Sequence, residues 1–128
     1  MHDRIFNFEN ITYDELDLYN SLEHRGIDYV DEIPEKDWPD EIEEFIHLHG
    51  FRGLPISKKG NHIKFKYNDM KAYFEKHKDN IDDIYGTLYT EEDEWPLTEY
   101  EWMKNLLIEY EGHEIISLVF RQIFDYHF

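Results

Sequence analysis

Apolar and polar positions alternate or recur along this chain in patterns that predict a mixed helix–strand domain. Phe6 and Phe8 alternate with polar residues over a run short enough to make one brief strand. Thr12 followed by Glu15 has capping-box spacing, and predicts a helix to about Glu23 with Leu16, Tyr19 and Leu22 as its apolar stripe. Gly26 lies just beyond that helix, and Ile27–Pro34 reads as extended or loop. Asp37-Trp38-Pro39 opens a second helix, with proline in the favoured first turn and Gly50 in the terminal slot. On it Ile42, Phe45, Ile46 and His49 share one face, while Asp40, Glu43, Glu44 and His47 share another.

Leu54 and Ile56 alternate before Ser57-Lys58-Lys59-Gly60-Asn61, after which Ile63, Phe65 and Tyr67 alternate with Lys64 and Lys66. That predicts a hairpin over about 53–67 with one apolar and one cationic face, Pro55 placing its first strand at a sheet edge. Asn68 is the expected cap of a third helix, with Met70, Tyr73 and Phe74 inward, running to about His77 or on through Ile81 and Ile84 to Gly86. Thr98 and Glu101 form another capping box, and the helix they open buries Trp102, Met103, Leu106 and Leu107 before Gly112. Ile116, Val119, Phe120, Ile123 and Phe124 recur at helical spacing, so a C-terminal helix is expected, with β-branched content leaving a strand as the alternative. The predicted fold is α+β: one domain over 1–128, a small antiparallel sheet packed with four or five helices.

Composition sharpens the picture through charge. Of 128 residues, 30 are acidic and 13 are Lys or Arg, a net charge of −17. The first fifty residues carry 15 acids and three bases, and residues 79–128 carry 13 acids and two bases. Between them a basic island at 51–78 carries eight bases and two acids. Aromatic residues at 17% supply the burial that disordered acidic chains lack. The absence of cysteine excludes disulfides, thiolate catalysis and thiolate-bound metals. With no long apolar stretch and no signal-peptide pattern at the start, a soluble cytoplasmic domain is expected, away from membranes.

Candidate chemistry is thin for an enzyme. No nucleophile elbow, P-loop or dinucleotide glycine fingerprint occurs. Glu44-Phe45-Ile46-His47 has the E-x-x-H step of carboxylate metal sites, in a single copy on the expected wet face. A metal-dependent enzyme using Glu43, Glu44, His47 and His113 is therefore an alternative reading, and no cofactor is expected under the leading one. The stretch Asp79–Gly86 fails as a calcium loop, because Ile81 and Ile84 occupy its third and sixth positions.

The acid clusters beside aromatic rings are the distinctive feature. Glu91, Glu92, Asp93 and Glu94 run directly into Trp95, and Asp31, Glu32, Glu35, Asp37, Asp40 and Glu41 form a second cluster around Trp38, with Glu44 a further candidate on the same helix. Such crowding repels itself, so a net charge of this size points to use at an interface. Helix-borne carboxylates about 5–6 Å apart approximate the spacing of phosphates along a strand. In composition the chain is similar to phage-encoded DNA mimics of the anti-restriction, anti-CRISPR and glycosylase-inhibitor kinds, although no motif aligns. The resemblance implies a non-catalytic inhibitor, monomeric or homodimeric, whose acidic surface enters the basic groove of a nuclease or other nucleic-acid-handling enzyme. The two tryptophans are expected to act as anchors, and Lys58, Lys59, Lys64 and Lys66 are candidate phosphate contacts. An immunity protein against a nuclease toxin would use the same electrostatics, and a scaffold role is a further alternative.

Overall fold

The computed structural model describes residues 1–48, 53–80, 86–91 and 97–128. Among these, the chain runs β1 (His2–Asn7), α1 (Glu15–Leu22), β2 (Tyr29–Glu32), α2 (Trp38–Leu48), β3 (Ser57–Lys59), β4 (His62–Lys66) and α3 (Tyr67–His77). It continues through β5 (Leu88–Tyr89), α4 (Glu99–Glu109), β6 (Ile115–Val119) and β7 (Gln122–His127). The α+β expectation holds, with two sheets where one was expected. The larger has the order β2-β7-β1-β5 and the smaller β3-β4-β6. The larger sheet is mixed, since β1 pairs in parallel with β5 and antiparallel with β7. No described helix is long and apolar enough to cross a membrane.

The larger sheet has core on both faces. Phe6, Tyr89 and Ile123 face the main cluster, which also takes in Ile42 and Phe45 of α2, Met70 and Phe74 of α3, and Trp102, Met103 and Leu106 of α4. Ile5, Leu88, Phe124 and Tyr126 face a second cluster closed by Leu18 and Leu22 of α1. The smaller sheet contributes only one face to the main cluster, through Ile63, Phe65, Ile116 and Leu118. At the centre of the main cluster, Phe120 meets Phe8 at 4.7 Å, Phe45 at 5.3 Å and Phe6 at 5.7 Å between ring centroids. Tyr89 stacks flat on Trp102 at 3.9 Å.

The C-terminal helix expected from periodicity is instead β6 and β7. Ile116 and Leu118 point into the main core, while Ile123 and Phe124 point to opposite faces of the larger sheet. Two strands buried in different ways happen to imitate a helical stripe, and β-branched residues favour the extended form. The chain passes from the smaller sheet to the larger through Phe120 and Arg121, whose backbone amides donate to Asn61 and Asn7 carbonyls at 2.8 Å each.

Other elements shift by a few residues for local reasons. Asp14, not Thr12, caps α1, its carboxylate accepting from the Leu16 amide at 2.8 Å. The buried stripe becomes Leu18 and Leu22, and Leu16 is 63% exposed. A 3-10 turn at Glu35–Asp37 precedes α2. The first hairpin strand is Ser57–Lys59 rather than Leu54–Ile56, so Pro55 lies before the strand. Gly60 and Asn61 form its two-residue loop, Gly60 taking the positive φ of 61° that such a turn needs at its first position. Lys66, not Asn68, is the capping position of α3. Thr98 caps α4 as expected, its hydroxyl accepting from the Glu101 amide, while the Glu101 carboxylate accepts from that hydroxyl rather than from the Thr98 amide. The expected continuation of α2 through His49 to Gly50, and of α3 through Ile81 and Ile84, lies outside the described residues.

A buried amide pair ties the loop at 8–14 to the larger sheet. Asn7 donates to Ile11 O at 2.7 Å and Gln122 Oε1 at 2.9 Å, and accepts from the Glu9 amide and Thr90 Oγ1. Gln122 accepts also from the Tyr13 amide and donates to Tyr13 O and Glu32. Every donor and acceptor of both amides is used, so removing one side chain strands several buried groups, at about 1–3 kcal/mol for each unsatisfied group. Gln122→Ala is expected to lower unfolding free energy by at least about 2 kcal/mol in urea titration. A loss under about 0.5 kcal/mol, the usual size of an indifferent surface change, would contradict that role.

Candidate functional site

Three strands of the larger sheet set a row of charges side by side. Asp31 of β2 lies opposite Asp125 of β7, and Asp125 lies opposite Arg4 of β1. Directly opposed residues share a face, so two carboxylates stand next to each other, an unfavourable pairing unless neutralised. Arg4 supplies the neutralisation. Its Nη1 donates to Asp125 at 2.8 Å, while Nε and Nη2 form a fork on Glu41 of α2 at 2.8 and 3.1 Å. The Glu41 bond is the main reason Arg4 is held above its ordinary pKa, against partial burial, with Asp125 and Glu44 adding their charge.

Around this guanidinium opens a cleft of about 410 Å³ lined by Asp31, Glu32, Asp37, Asp40, Glu41 and Asp125, with Ile33 and Pro34. Six carboxylates meet one base. Five of the residues singled out in the sequence, Asp31, Glu32, Asp37, Asp40 and Glu41, are brought together here, and Glu44 is close enough for Arg4 to feel it. Asp125 escaped sequence reasoning because the partner row is created by strand register across the length of the chain. Its only local signal is a charge interrupting the apolar run Ile123–Tyr126.

Trp38 belongs to the core. It is 7% exposed, and its indole Nε1 donates to Ile33 O at 3.0 Å, fixing the turn that walls the cleft. The expected anchor is thus a support beneath the acidic surface, because α2 turns its first residue inward with Ile42 and Phe45. Glu91 lines a separate groove of about 240 Å³, where Asn105 Nδ2 donates to it at 2.8 Å. Glu92, Asp93, Glu94 and Trp95 lie outside the described residues.

The cationic residues also divide. Lys58 pairs with Glu43 of α2 and holds that carboxyl below its usual range. Lys59, Lys64 and Lys66 are exposed on the other face of the smaller sheet and have no ion pair among the described residues. For the metal reading, Glu43 is engaged by Lys58 and by His47 at 3.3 Å, while His113 sits against the Tyr110 ring at 5.5 Å. Among the described residues no group of three or more His, Asp or Glu is arranged to hold a metal ion.

Glu99, in the first turn of α4, is pushed up to about 7 by burial, with the charge of Asp3 adding and a 3.3 Å bond from the Tyr89 hydroxyl opposing. Burial likewise drives Tyr89 well above its ordinary value. An acid with a raised folded pKa favours folding in its protonated form. Its contribution is full below the unfolded value near 4.5 and lost as pH rises through about 7. Glu99→Gln is therefore expected to raise the melting temperature at pH 8, by up to about 3 kcal/mol in stability, and to leave it nearly unchanged at pH 4.5. An equal effect at both pH values in thermal melts would contradict it. Trp38→Ala is expected to cost about 3–5 kcal/mol, as for a core tryptophan, and a melt within a degree of the parent would return Trp38 to the surface.

No model of a known protein family matches this chain, and searches of curated proteins and of solved structures likewise return no match.

Proposed function

We propose that this protein is a non-catalytic inhibitor that presents an acidic, DNA-mimic-like surface to the basic nucleic-acid groove of a nuclease or other nucleic-acid-handling enzyme, in the manner of phage anti-CRISPR and anti-restriction proteins. The observation that carries the reading is the cleft of six carboxylates around Arg4. Its acids come from β2, β7, α2 and the turn between β2 and α2, so their spacing is set by backbone pairing and packing rather than by flexible side chains alone. A pre-set array loses little entropy on docking and displaces counterions from a cationic groove as a phosphate backbone does. The net charge of −17 adds long-range steering toward such a groove.

The reading is tested by capture on tagged protein from a host lysate, eluted with rising salt and competed with DNA or RNA. The expected catch is a basic nucleic-acid-handling enzyme released by salt and by nucleic acid. The triple variant D31K/D37K/D40K, at exposed cleft positions, is expected to weaken capture at least about tenfold, roughly 1.4 kcal/mol. A partner held equally by the variant, or indifferent to both salt and nucleic acid, would overturn the proposal.

A further inference from the structure

The smaller sheet leaves one face open, and its register sorts the side chains there. Lys64 of β4 stands directly between Ser57 of β3 and Ser117 of β6. In the next row Lys59 lies opposite His62 and His62 opposite Val119; in the row on the other side Lys66 lies opposite Ile115. His62 Nε2 and Ser117 Oγ are hydrogen-bonded to each other. An open groove of about 820 Å³ crosses this face, bordered by Ile56, Lys64, Lys66, Asp69, Ile115 and Ser117. Three ammonium groups thus project from a surface that also carries apolar seats, Ile115 being 41% exposed.

We propose that this face docks the acidic cleft around Arg4 of a second copy of the chain, so that the protein associates head to tail through its own charge segregation. Complementarity is the ground: three lysines with no ion pair among the described residues on one surface, and six carboxylates against one arginine on the other. A two-fold contact between like faces is disfavoured, because it would set lysines against lysines. Pairing of β3 edges is disfavoured for the same reason, since Lys59 stands on that edge. A contact between the unlike faces remains, closed as a reciprocal pair or extended into a ring or an open chain. The face carries apolar seats and no exposed aromatic ring among its paired residues, which suits a protein surface better than the stacked bases of a nucleic acid.

Net charge opposes any meeting of two copies at −17 each, and this gives the association its signature. At ionic strengths of about 0.01, 0.1 and 1 M the screening length is about 30, 10 and 3 Å. At the lowest, whole-molecule repulsion reaches across the contact; at the middle value it is screened while the facing lysines and carboxylates still attract; at the highest both are gone. Association is therefore strongest at intermediate salt. Each contact covers the cleft, so self-association withholds it from a target; that regulatory consequence, unlike the contact itself, rests on the function proposed above.

Sedimentation velocity across a concentration series tests the contact with no target present, so its result is independent of whether the inhibitor reading stands. The wild-type protein is expected to sediment faster with concentration at about 0.1 M salt, and less so at about 0.01 and 1 M. K59Q/K64Q/K66Q keeps only the acidic cleft, and D31N/D37N/D40N keeps only the basic face. Each is expected to be monomeric alone, and the two together to form a 1:1 complex of twice the monomer mass that grows no further. A wild-type protein monomeric at every concentration and salt would overturn the proposal without relying on any variant's folding. So would association that survives in either variant, a mixture that stays monomeric, or a monomer that uses these lysines to bind an oligo-dT strand instead.

Discussion

Strand β7 lies between β2 and β1 with packed side chains on both of its faces, and the rest of the molecule is arranged around that position. Ile123 reaches the main core that joins both sheets to α2, α3 and α4, while Phe124 and Tyr126 reach the smaller core closed by α1. A shift of one residue in its pairing would exchange these faces and put Asp125 into apolar surroundings. The register is fixed at its start by Gln122, whose amide is saturated by Asn7, Tyr13 and Glu32. It is fixed further along by Asp125, which must meet Arg4.

The same register creates the acidic cleft. Asp31, Asp125 and Arg4 form one row only because β2, β7 and β1 are neighbours, and Glu41 takes the other side of the Arg4 guanidinium only because α2 packs over that end of the sheet. One guanidinium shared between two carboxylates holds the row together while leaving most of the surrounding acids for solvent or a partner. The basic island is divided by the same logic of alternation. Lys58 turns inward to Glu43, and Lys59, Lys64 and Lys66 turn outward. Charge blocks that are linear in the sequence thus become two surfaces of unlike charge.

Elements with a strong local signature were legible in advance. The Thr98–Glu101 box marks the start of α4, the alternation of Ile63, Phe65, Lys64 and Lys66 gives β4 with its two faces, and Pro39 places the first turn of α2. Misreadings fall where local signal and tertiary demand diverge. The stripe from Ile116 to Phe124 satisfies helical spacing, yet belongs to two strands in different sheets. Leu16 looked like core from its spacing to Tyr19 and Leu22, but the face that packs against Ile5 and Phe124 is Leu18 and Leu22. Trp38 drew attention through its acidic neighbours, and burial assigns it to support instead.

By itself the sequence determined the class of fold, the acidic excess, the basic island and the membership of Asp31, Glu32, Asp37, Asp40 and Glu41 in an acid-rich cluster, because capping, alternation and charge density are properties of neighbouring residues. Tertiary structure alone decided that Asp125 and Arg4 complete that surface, that Lys58 pairs with Glu43 while Lys59, Lys64 and Lys66 have no ion pair among the described residues, and that the C-terminal segment is extended. Each of these depends on which residues lie opposite one another across a sheet. Strand register is a long-range equilibrium between two buried faces, and no short window of sequence contains both of them.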